Sequence, residues 1–382
     1  MVYYVKKGKV PEQRHTYDDR SHIFKEELFG LNAFDGKYSL LYHKYDPAEI
    51  EKTSVEYREK LSTVDLVEHR HIKAGLLGKL NNFYTGRQTL FYNDSTSTGI
   101  IDTDTSPDTY FRNALCDEVF YVQSGKGSIE SPFGTLKFRK GDFIYIPRGT
   151  TYRAVMDERS FFFFTISSDH MDIPAHYMNK YGQIKEGMPY YTRDIEIPEF
   201  HESTESPGEY HIMVDYGNYY LNISRTYPVL DLEGYDGYLY PFTINIDRFA
   251  PIVGKLHMPP PVHTVFEADH FMIGAFLPRL FDFHERAIPI PYYHNNIDSD
   301  ELIFYSSGNF MSRKGIGEKS ITMHVHGIIH GPQPGVVENS LGVTKTDEVA
   351  IMVESYKWLM PTEKAESVKD KNYMYSWKAG KD

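Results

Sequence analysis

The chain has 382 residues, of which 41% are hydrophobic and 25% charged, so it carries enough apolar material for a sizeable core and is not wholly disordered. Its 41 basic and 53 acidic residues give a formal net charge of −12, which disfavours a general nucleic-acid binder because such a surface repels phosphates. The single cysteine, Cys116, excludes an intrachain disulfide and a cysteine-based zinc cage, and no apolar run reaches the ~18–20 residues of a membrane span.

The first third of the chain is predicted to contain strands, one helix and a turn-rich segment. The polar start, MVYYVKKGKV, lacks a signal-peptide core, and the use of one cysteine fits the reducing cytoplasm, where we expect the protein. Aromatic-rich runs within residues 1–50, such as YSLLYHKY, favour strands. Residues 47–64 are predicted to form an early helix or helical turn, and the polar segment 84–115, rich in Thr, Asp and Ser, is predicted to form mostly turns.

From residue 117 onwards the sequence has the pattern of a small β-barrel. DEVFYVQSGKGSIESPFGTLKFRKGDFIYIPRGTTYRAV contains four short strand-like runs separated by glycine turns at ~8–12-residue spacing, which is typical of a barrel or jelly roll. The tyrosine-rich residues 170–250 are predicted to form an elaboration between two cores, and residues 361–382 a short helix or surface extension. With 31 Tyr, 24 Phe, 28 Gly and 21 Pro in the chain, we predict an all-β protein.

A second segment repeats the first one. DELIFYSSG at residues 300–308 parallels DEVFYVQSG at residues 117–125. In each segment six residues separate the glutamate, Glu118 or Glu301, from the glycine that follows the strand. This internal echo predicts two homologous small barrels in one chain.

Three residues of the second block have the chemistry of metal ligands. His294 precedes Glu301 by seven residues, and His330 follows Glu301 by 29. Two imidazoles and one carboxylate on one face of a metal leave about three positions open, which is the arrangement of non-haem Fe(II) oxygenases. We therefore predict an Fe(II) site at which substrate and O₂ share the open positions.

The first block keeps the carboxylate but not the histidines. Position 111, seven residues before Glu118, is Phe111, and Tyr152 stands where the usual small-barrel pattern has a histidine. The N-terminal barrel is therefore predicted to be metal-free. In the second block HVHGIIH offers two further histidines, His324 and His326, which we expect behind the ligands or along the pocket rather than on the metal.

These motifs together resemble the homogentisate 1,2-dioxygenase family of the cupin superfamily. PYYHNN, SDE and HGIIHGP are similar to its iron site, and HMPPPVHTVFEA, FGLNAFDGKYSLLYHK and IPRGTTYR are similar to its other segments. The resemblance implies two cupin-type jelly-roll barrels with tyrosine-rich elaborations and a few short helices. It divides the chain into a barrel domain without metal over residues 1–165, an elaboration over 166–250 and an iron-binding barrel domain with a short tail over 251–382.

The resemblance also implies an activity. Homogentisate and O₂ would give 4-maleylacetoacetate in tyrosine and phenylalanine catabolism, with Fe(II) as the cofactor. The partners would be a small aromatic substrate and O₂, with neither nucleic acid nor membrane. The family's usual assembly implies a homo-oligomer, either a trimer or a hexamer.

Individual residues take roles from the same resemblance. His294, Glu301 and His330 would bind the iron. His257 would act as acid/base on a ring hydroxyl, a role that suits an imidazole because its pKa lies near working pH, and His263 is its rival. The residues expected at the substrate are Tyr292, Tyr293, His324 and Phe310.

The chain departs from the family in its iron-binding segment. It has one extra residue between the first iron histidine and the glutamate, so Asp300 competes with Glu301 as the ligand. The two side chains point to opposite faces of a strand. We favour Glu301, because it keeps the spacing to glycine that Glu118 has in the first block.

Two further departures put the substrate in question. Ser307 and Phe310 stand where the better-studied branch has an arginine and a tyrosine, so Arg313 or Arg279 would have to compensate. Two alternatives to homogentisate cleavage therefore stay open. One is a cupin dioxygenase for another dihydroxy aromatic such as gentisate, and the other is a non-enzymatic or isomerase-type metal-binding bicupin.

Overall fold

The computed structural model describes residues 3–17 and 19–378, in which strands dominate. The strands before residue 170 are β1 (Val5–Gly8), β2 (Lys25–Gly30), β3 (Tyr38–His43), β4 (Lys52–Tyr57), β5 (Arg70–Ile72), β6 (Gln88–Tyr92), β7 (Thr96–Thr103), β8 (Tyr110–Asn113), β9 (Asp117–Ser124), β10 (Lys126–Ser131), β11 (Gly134–Arg139), β12 (Asp142–Ile146), β13 (Thr151–Met156) and β14 (Ser160–Ser167).

The second half of the chain continues in the same way. Its strands are β15 (Ile195–Glu196), β16 (Tyr210–Asp215), β17 (Tyr219–Arg225), β18 (Leu232–Gly237), β19 (Phe242–Asn245), β20 (Thr264–Ala268), β21 (Phe271–Phe276), β22 (Arg279–Leu280), β23 (Asp300–Ser307), β24 (Ser320–His324), β25 (Lys345–Thr346), β26 (Val349–Ser355) and β27 (Met360–Pro361). Within the described ranges the only α-helices are α1 (Val336–Ser340) and α2 (Glu363–Ser367). Neither is long and apolar enough to cross a membrane.

The strands form two cupin-type jelly-roll barrels, which confirms the predicted all-β fold. In the first barrel the sheet β11-β10-β13-β8-β16-β17-β4 faces the sheet β15-β19-β12-β9-β14-β7-β6-β27. The second barrel is built on the sheet β20-β21-β26-β23-β24-β5 and the pair β22-β25. A further four-stranded sheet of order β1-β18-β3-β2 joins three N-terminal strands to β18, which lies in the segment between the barrels.

Strand β14, SFFFFTIS, explains how the barrels pack together. Every residue of it is buried, because both faces of its sheet are covered. The side chains of Phe162 and Phe164 enter the core of the first barrel, whereas those of Phe161 and Phe163 enter the core between the barrels. There Phe163 stacks on Phe304 of β23, with ring centroids 4.8 Å apart. Alternate side chains of this one strand thus pack into two different hydrophobic cores.

The two barrels also exchange short strands. β5, from the N-terminal part of the chain, pairs with β24 in the sheet of the second barrel. In return β27, from the C-terminal part, pairs with β6 in the first. The boundaries at residues 165 and 250 stay a prediction.

Two local predictions are wrong. Residues 47–64, predicted as a helix, contain the exposed strand β4, which pairs with β17 at the edge of its sheet. Residues 84–115, predicted as turns, contain β6, β7 and β8. The threonines of that segment have β-branched side chains that strands favour, and pairing with β14 buries β7. The short helix predicted in the tail is confirmed as α2, and residues 379–382 lie outside the described residues.

Candidate metal centre

Strand β23 directs Glu301 into the second barrel. Glu301 is the second residue of the strand and shares its face with Ile303 and Tyr305, because side chains alternate along a strand. All three line a cavity of about 470 Å³. The carboxylate lies at the wall of this cavity and is 5% exposed as a residue.

A short backbone bridge brings the two histidines to the same wall. The backbone N–H groups of His294 and His330 each donate to the carbonyl of the other residue, at 2.9 Å in both directions. The His294 Nε2 atom lies 3.7 Å from Glu301 Oε2, and the His330 Nε2 atom lies 3.9 Å from Glu301 Oε1. The structure therefore brings together the three residues that the sequence spacing singled out.

The three side chains fit a metal ion. One ligand atom from each lies within 4.8 Å of the other two. Metal–ligand bonds to nitrogen and carboxylate oxygen measure about 2.0–2.2 Å, so one ion can contact neighbouring atoms that are 3.7–3.9 Å apart. The Nε2 atom of His330 is buried and has no hydrogen-bond partner among the described residues, an arrangement that is costly unless another group binds it.

Electrostatics favour the ligating protonation states of His330 and Glu301, whereas the carboxylate of Glu301 raises the pKa of His294. Burial lowers the pKa of His330, which keeps the ring neutral and its Nε2 lone pair available. Burial would raise the pKa of Glu301, but the nearby ring of His294 and the hydrogen bond from His324 outweigh it and hold that pKa well below its usual range. The carboxyl group is therefore ionised.

His324 lies behind the candidate ligands. Its Nδ1 atom is 2.6 Å from Glu301 Oε1 and its Nε2 atom is 2.9 Å from the hydroxyl of Tyr373. Its ring is fully buried and stacks on the ring of His330, with centroids 4.7 Å apart. His326 points elsewhere and stacks on Trp358.

Asp300 has a different environment from Glu301. Its carboxylate accepts the backbone N–H of His326 at 2.8 Å and that of Leu359 at 2.7 Å. His326 Nδ1 lies 2.8 Å from the same carboxylate. Because these contacts use both of its oxygens on the face opposite Glu301, the geometry favours Glu301 as the ligand.

The two candidates for the acid/base role differ in their contacts. His257 and His263 both line the cavity. His263 Nε2 accepts the backbone N–H of Ile252 at 3.0 Å, and burial lowers its pKa to about 4. His257 lies with Nδ1 3.8 Å from Asp282, and burial lowers its pKa. The Nε2 atom of His263 is therefore already used as a hydrogen-bond acceptor by the backbone.

The residues predicted at the substrate lie in different places. Tyr292 lines the cavity, with its ring 5.2 Å from that of His257. Tyr293, His324 and Phe310 are not among the described residues that line it. Phe310 packs against Tyr305 instead, with ring centroids 4.8 Å apart.

Four further charged residues line the cavity. Two of them were expected from the sequence only as possible replacements for a missing arginine, and the other two were not named. Arg279 and Arg313 line the cavity, together with Glu348 and Glu354. Burial raises the pKa of both glutamates to about 7. Glu354 pairs in register with Glu301 across β26 and β23. Its position was readable as a polar residue in the inward phase of an otherwise apolar strand.

His69 was missed altogether. It is 3% exposed, its Nδ1 atom accepts the backbone N–H of Val325, and its ring centroid lies 5.4 Å from those of His324 and His330. No local pattern pointed to it, because it precedes the candidate ligands by more than 200 residues.

Known proteins resemble this chain along most of its length. A protein of Saccharolobus solfataricus, provisionally named a dioxygenase, is 41% identical over 384 residues, covering 99% of each chain. The homogentisate 1,2-dioxygenase of Emericella nidulans is 23% identical over 292 residues, covering 70% of this chain and 63% of that one. That of Bradyrhizobium diazoefficiens is 20% identical over 329 residues, covering 82% and 67%.

The chain belongs to the homogentisate 1,2-dioxygenase-like family of cupins. This confirms the resemblance that the motifs indicated. Its relatives carry dioxygenase names, which supports an oxidoreductase role for this family. The group of His294, Glu301 and His330 is the candidate metal centre of the chain.

More general comparisons add little to this family assignment. No family model matches the chain. A cupin 2 conserved barrel domain protein of Leptotrichia buccalis is 9% identical with a TM-score of 0.35, covering 77% of this chain and 100% of that one. A glyoxylate-induced protein of Pseudomonas aeruginosa is 11% identical with a TM-score of 0.38, covering 78% and 93%.

Proposed function

We propose that this dioxygenase cleaves the ring of homogentisate with O₂ to give 4-maleylacetoacetate, in tyrosine and phenylalanine catabolism, with Fe(II) bound by His294, Glu301 and His330. The observation that supports this most is the convergence of two imidazoles and one carboxylate at the wall of a cavity of about 470 Å³. That donor set, without sulfur, suits Fe(II) and leaves coordination positions open. When bound, Fe(II) supplies a redox-active centre at which the ring diol and O₂ meet.

His257 accepts the proton of a ring hydroxyl. Its ring lines the cavity beside Tyr292, and its lowered pKa keeps it neutral at pH 7. Because Nδ1 faces Asp282, Nε2 is the atom that takes the proton. General-base assistance of this kind is typically worth ~10²–10⁴-fold in rate. His263 is less suited, because its Nε2 already accepts a backbone hydrogen bond.

The cavity lining offers both apolar side chains and cations for the two parts of the substrate. The side chains of Met272, Ile303 and Met352 line it and suit a flat aromatic ring. Arg279 donates one hydrogen bond, to the Leu277 carbonyl at 3.2 Å, and its remaining N–H groups can bind a carboxylate. Arg313 is a second cation of the lining.

These two arginines can replace the arginine and tyrosine that the family has where this chain has Ser307 and Phe310. Neither Ser307 nor Phe310 is among the described residues that line the cavity. The substrate carboxylate is therefore assigned to Arg279, with Arg313 as a second cation of the cavity lining, rather than to those two positions. The remaining proposals are a homo-oligomer, trimer or hexamer, in the cytoplasm.

Substrate-dependent O₂ uptake tests the proposed reaction. Apoprotein is reconstituted with Fe(II) under anaerobic conditions and mixed with homogentisate or gentisate in parallel. We expect about one iron per chain, O₂ uptake with homogentisate, and 4-maleylacetoacetate as the product. O₂ uptake with gentisate but not with homogentisate would show that gentisate is the substrate instead. Full activity with zinc alone would contradict the redox chemistry.

A further inference from the structure

The C-terminal segment of the chain packs directly behind the candidate metal centre. After α2 the backbone follows β5, with the N–H of Asp370 donating to the His71 carbonyl at 2.8 Å. The turn Tyr373–Tyr375 then leads to Trp377. Tyr373 is 4% exposed, and neither it nor Trp377 is among the described residues that line the cavity. The segment therefore contacts the site from the side away from the substrate.

Its first contact reaches Glu301 through one histidine. Glu301 Oε1 is a carboxylate oxygen and accepts, so His324 Nδ1, which lies 2.6 Å away, is the donor. His324 Nε2 then accepts from the hydroxyl of Tyr373 at 2.9 Å. The phenol therefore fixes both the tautomer and the orientation of the ring that holds the carboxylate.

Its second contact reaches the residue after His330. The indole Nε1–H of Trp377 donates to the carbonyl of Gly331 at 3.0 Å, and Arg313 Nη1 donates to the same carbonyl at 2.7 Å. Gly331 has φ +154, and a Cβ there would lie 2.8 Å from the Cα of Tyr293, so only glycine fits. The peptide that follows His330 is thus held between a close backbone contact and two donors.

We propose that Tyr373 and Trp377 are positioning residues of the metal centre, and that metal binding is coupled to docking of the C-terminal segment. Tyr373 orients Glu301 through His324, and Trp377 orients His330 through Gly331. This inference rests on the proposed metal site. Partners that orient ligands are typically worth 10–100-fold in metal affinity. Coupling is reciprocal, so the bound metal also stabilises the docked segment.

The phenol can be removed with a matched control on the same turn. Tyr373→Phe deletes only the hydroxyl, and Tyr375→Phe does the same at a side chain that is 72% exposed. Co(II) dissociation constants of the full-length chain are measured by competition with a chelator, beside the melting temperature of the apoprotein and the visible absorption of the Co(II) form. We expect Tyr373→Phe to bind Co(II) 10–100-fold more weakly, with shifted absorption bands and little change in the apoprotein melting temperature. Tyr375→Phe should match the wild type.

A second variant and a mobility measurement keep the inference testable if Tyr373→Phe fails to fold. Trp377→Phe keeps an aromatic ring but removes the N–H, and should weaken Co(II) binding about 10-fold. Hydrogen exchange of residues 370–378 should slow when the metal binds. Wild-type affinity in both variants, or exchange unaffected by metal, would overturn the positioning role. A wild-type chain that binds neither Co(II) nor Fe(II) would instead contradict the proposed function.

Discussion

Glu118 of the first barrel and Glu301 of the second stand at the same place in equivalent strands, β9 and β23, but their surroundings differ. Each follows an aspartate that accepts backbone N–H groups from two later segments. Asp117 accepts from the backbone of Arg148 and Met171. Asp300 accepts from the backbone of His326 and Leu359. The echo in the sequence thus extends to the hydrogen bonds that hold each strand.

The barrels differ at the glutamate that follows each aspartate, in the residues with which that glutamate pairs. In the first barrel the residues paired in register with Glu118 are Ile146 and Ile166. In the second barrel the residues paired with Glu301 are a histidine and a carboxylic acid, His324 and Glu354. Glu118 thus has two apolar register partners, whereas Glu301 has two polar ones.

Glu118 is satisfied by the protein itself. Its carboxylate accepts from Arg87 Nη1 at 2.5 Å, from the Tyr152 hydroxyl at 2.7 Å and from Asn113 Nδ2 at 3.0 Å. At the second site His330 Nε2 has no hydrogen-bond partner among the described residues. The same buried carboxylate can therefore be neutralised by an internal guanidinium or held ready for a metal, and the comparison shows which residues make that difference.

The largest expected effect comes from removing the carboxylate of the second barrel. Glu301→Ala should reduce the metal content of the protein to near zero, because the site loses its only anionic ligand. Asp300→Ala should retain the metal but lower the free energy of unfolding, since it leaves the buried N–H of Leu359 unpaired at ~1–3 kcal/mol and also removes the acceptor of the part-buried His326 N–H. Metal analysis and denaturant unfolding of both variants test this. Loss of metal in Asp300→Ala but not in Glu301→Ala would show that Asp300 is the ligand.

The next effect concerns turnover at an intact metal site. His257→Phe should keep its metal and lose at least ~10²-fold in kcat, because the ring hydroxyl loses its base. Steady-state O₂ uptake is compared with metal content measured on the same preparation. Near-normal turnover in the metal-replete variant would discard the role of His257, and His263 would be tested next.

A smaller effect is expected on substrate binding. Arg279→Gln should raise the KM for homogentisate about 10-fold and leave kcat nearly unchanged. A hydrogen bond to a charged group is worth ~1.5–3 kcal/mol, and 1.4 kcal/mol is tenfold in affinity. A dihydroxybenzene without a carboxylate serves as the control, and its KM should not respond to the change. An equal increase for both compounds would mean that Arg279 shapes the cavity rather than binding the anion.

The smallest effect on the metal is expected in the first barrel. Glu118→Gln should leave metal content and turnover unchanged, because that carboxylate has Arg87 as its cation. The free energy of unfolding should fall by ~1–3 kcal/mol, since a buried charge-assisted hydrogen bond is lost. Metal analysis and denaturant unfolding measure the two quantities. Loss of metal in this variant would show that the wrong barrel had been chosen.

The sequence by itself determined the barrels and the three candidate ligands. Strand patterns and glycine turns are local, so the repeat of DEVFYVQSG in DELIFYSSG was readable without coordinates. The spacing of His294, Glu301 and His330 likewise depends only on the order of residue types. Local patterns were less reliable where pairing decides the outcome, as in β4, whose residues were predicted as a helix.

Tertiary structure decided what surrounds those residues. The sequence could not separate Asp300 from Glu301 by hydrophobicity, and it gave no indication that Arg87 neutralises Glu118 or that Tyr373 and Trp377 contact the metal centre. Tyr373 and Trp377 lie far from Glu301 along the chain, and they reach the metal centre because the C-terminal segment follows β5, which pairs with β24 in the second barrel. Arg87 meets Glu118 within the first barrel. A local pattern records which face of a strand is buried, whereas the identity of the group it meets depends on how distant segments pack.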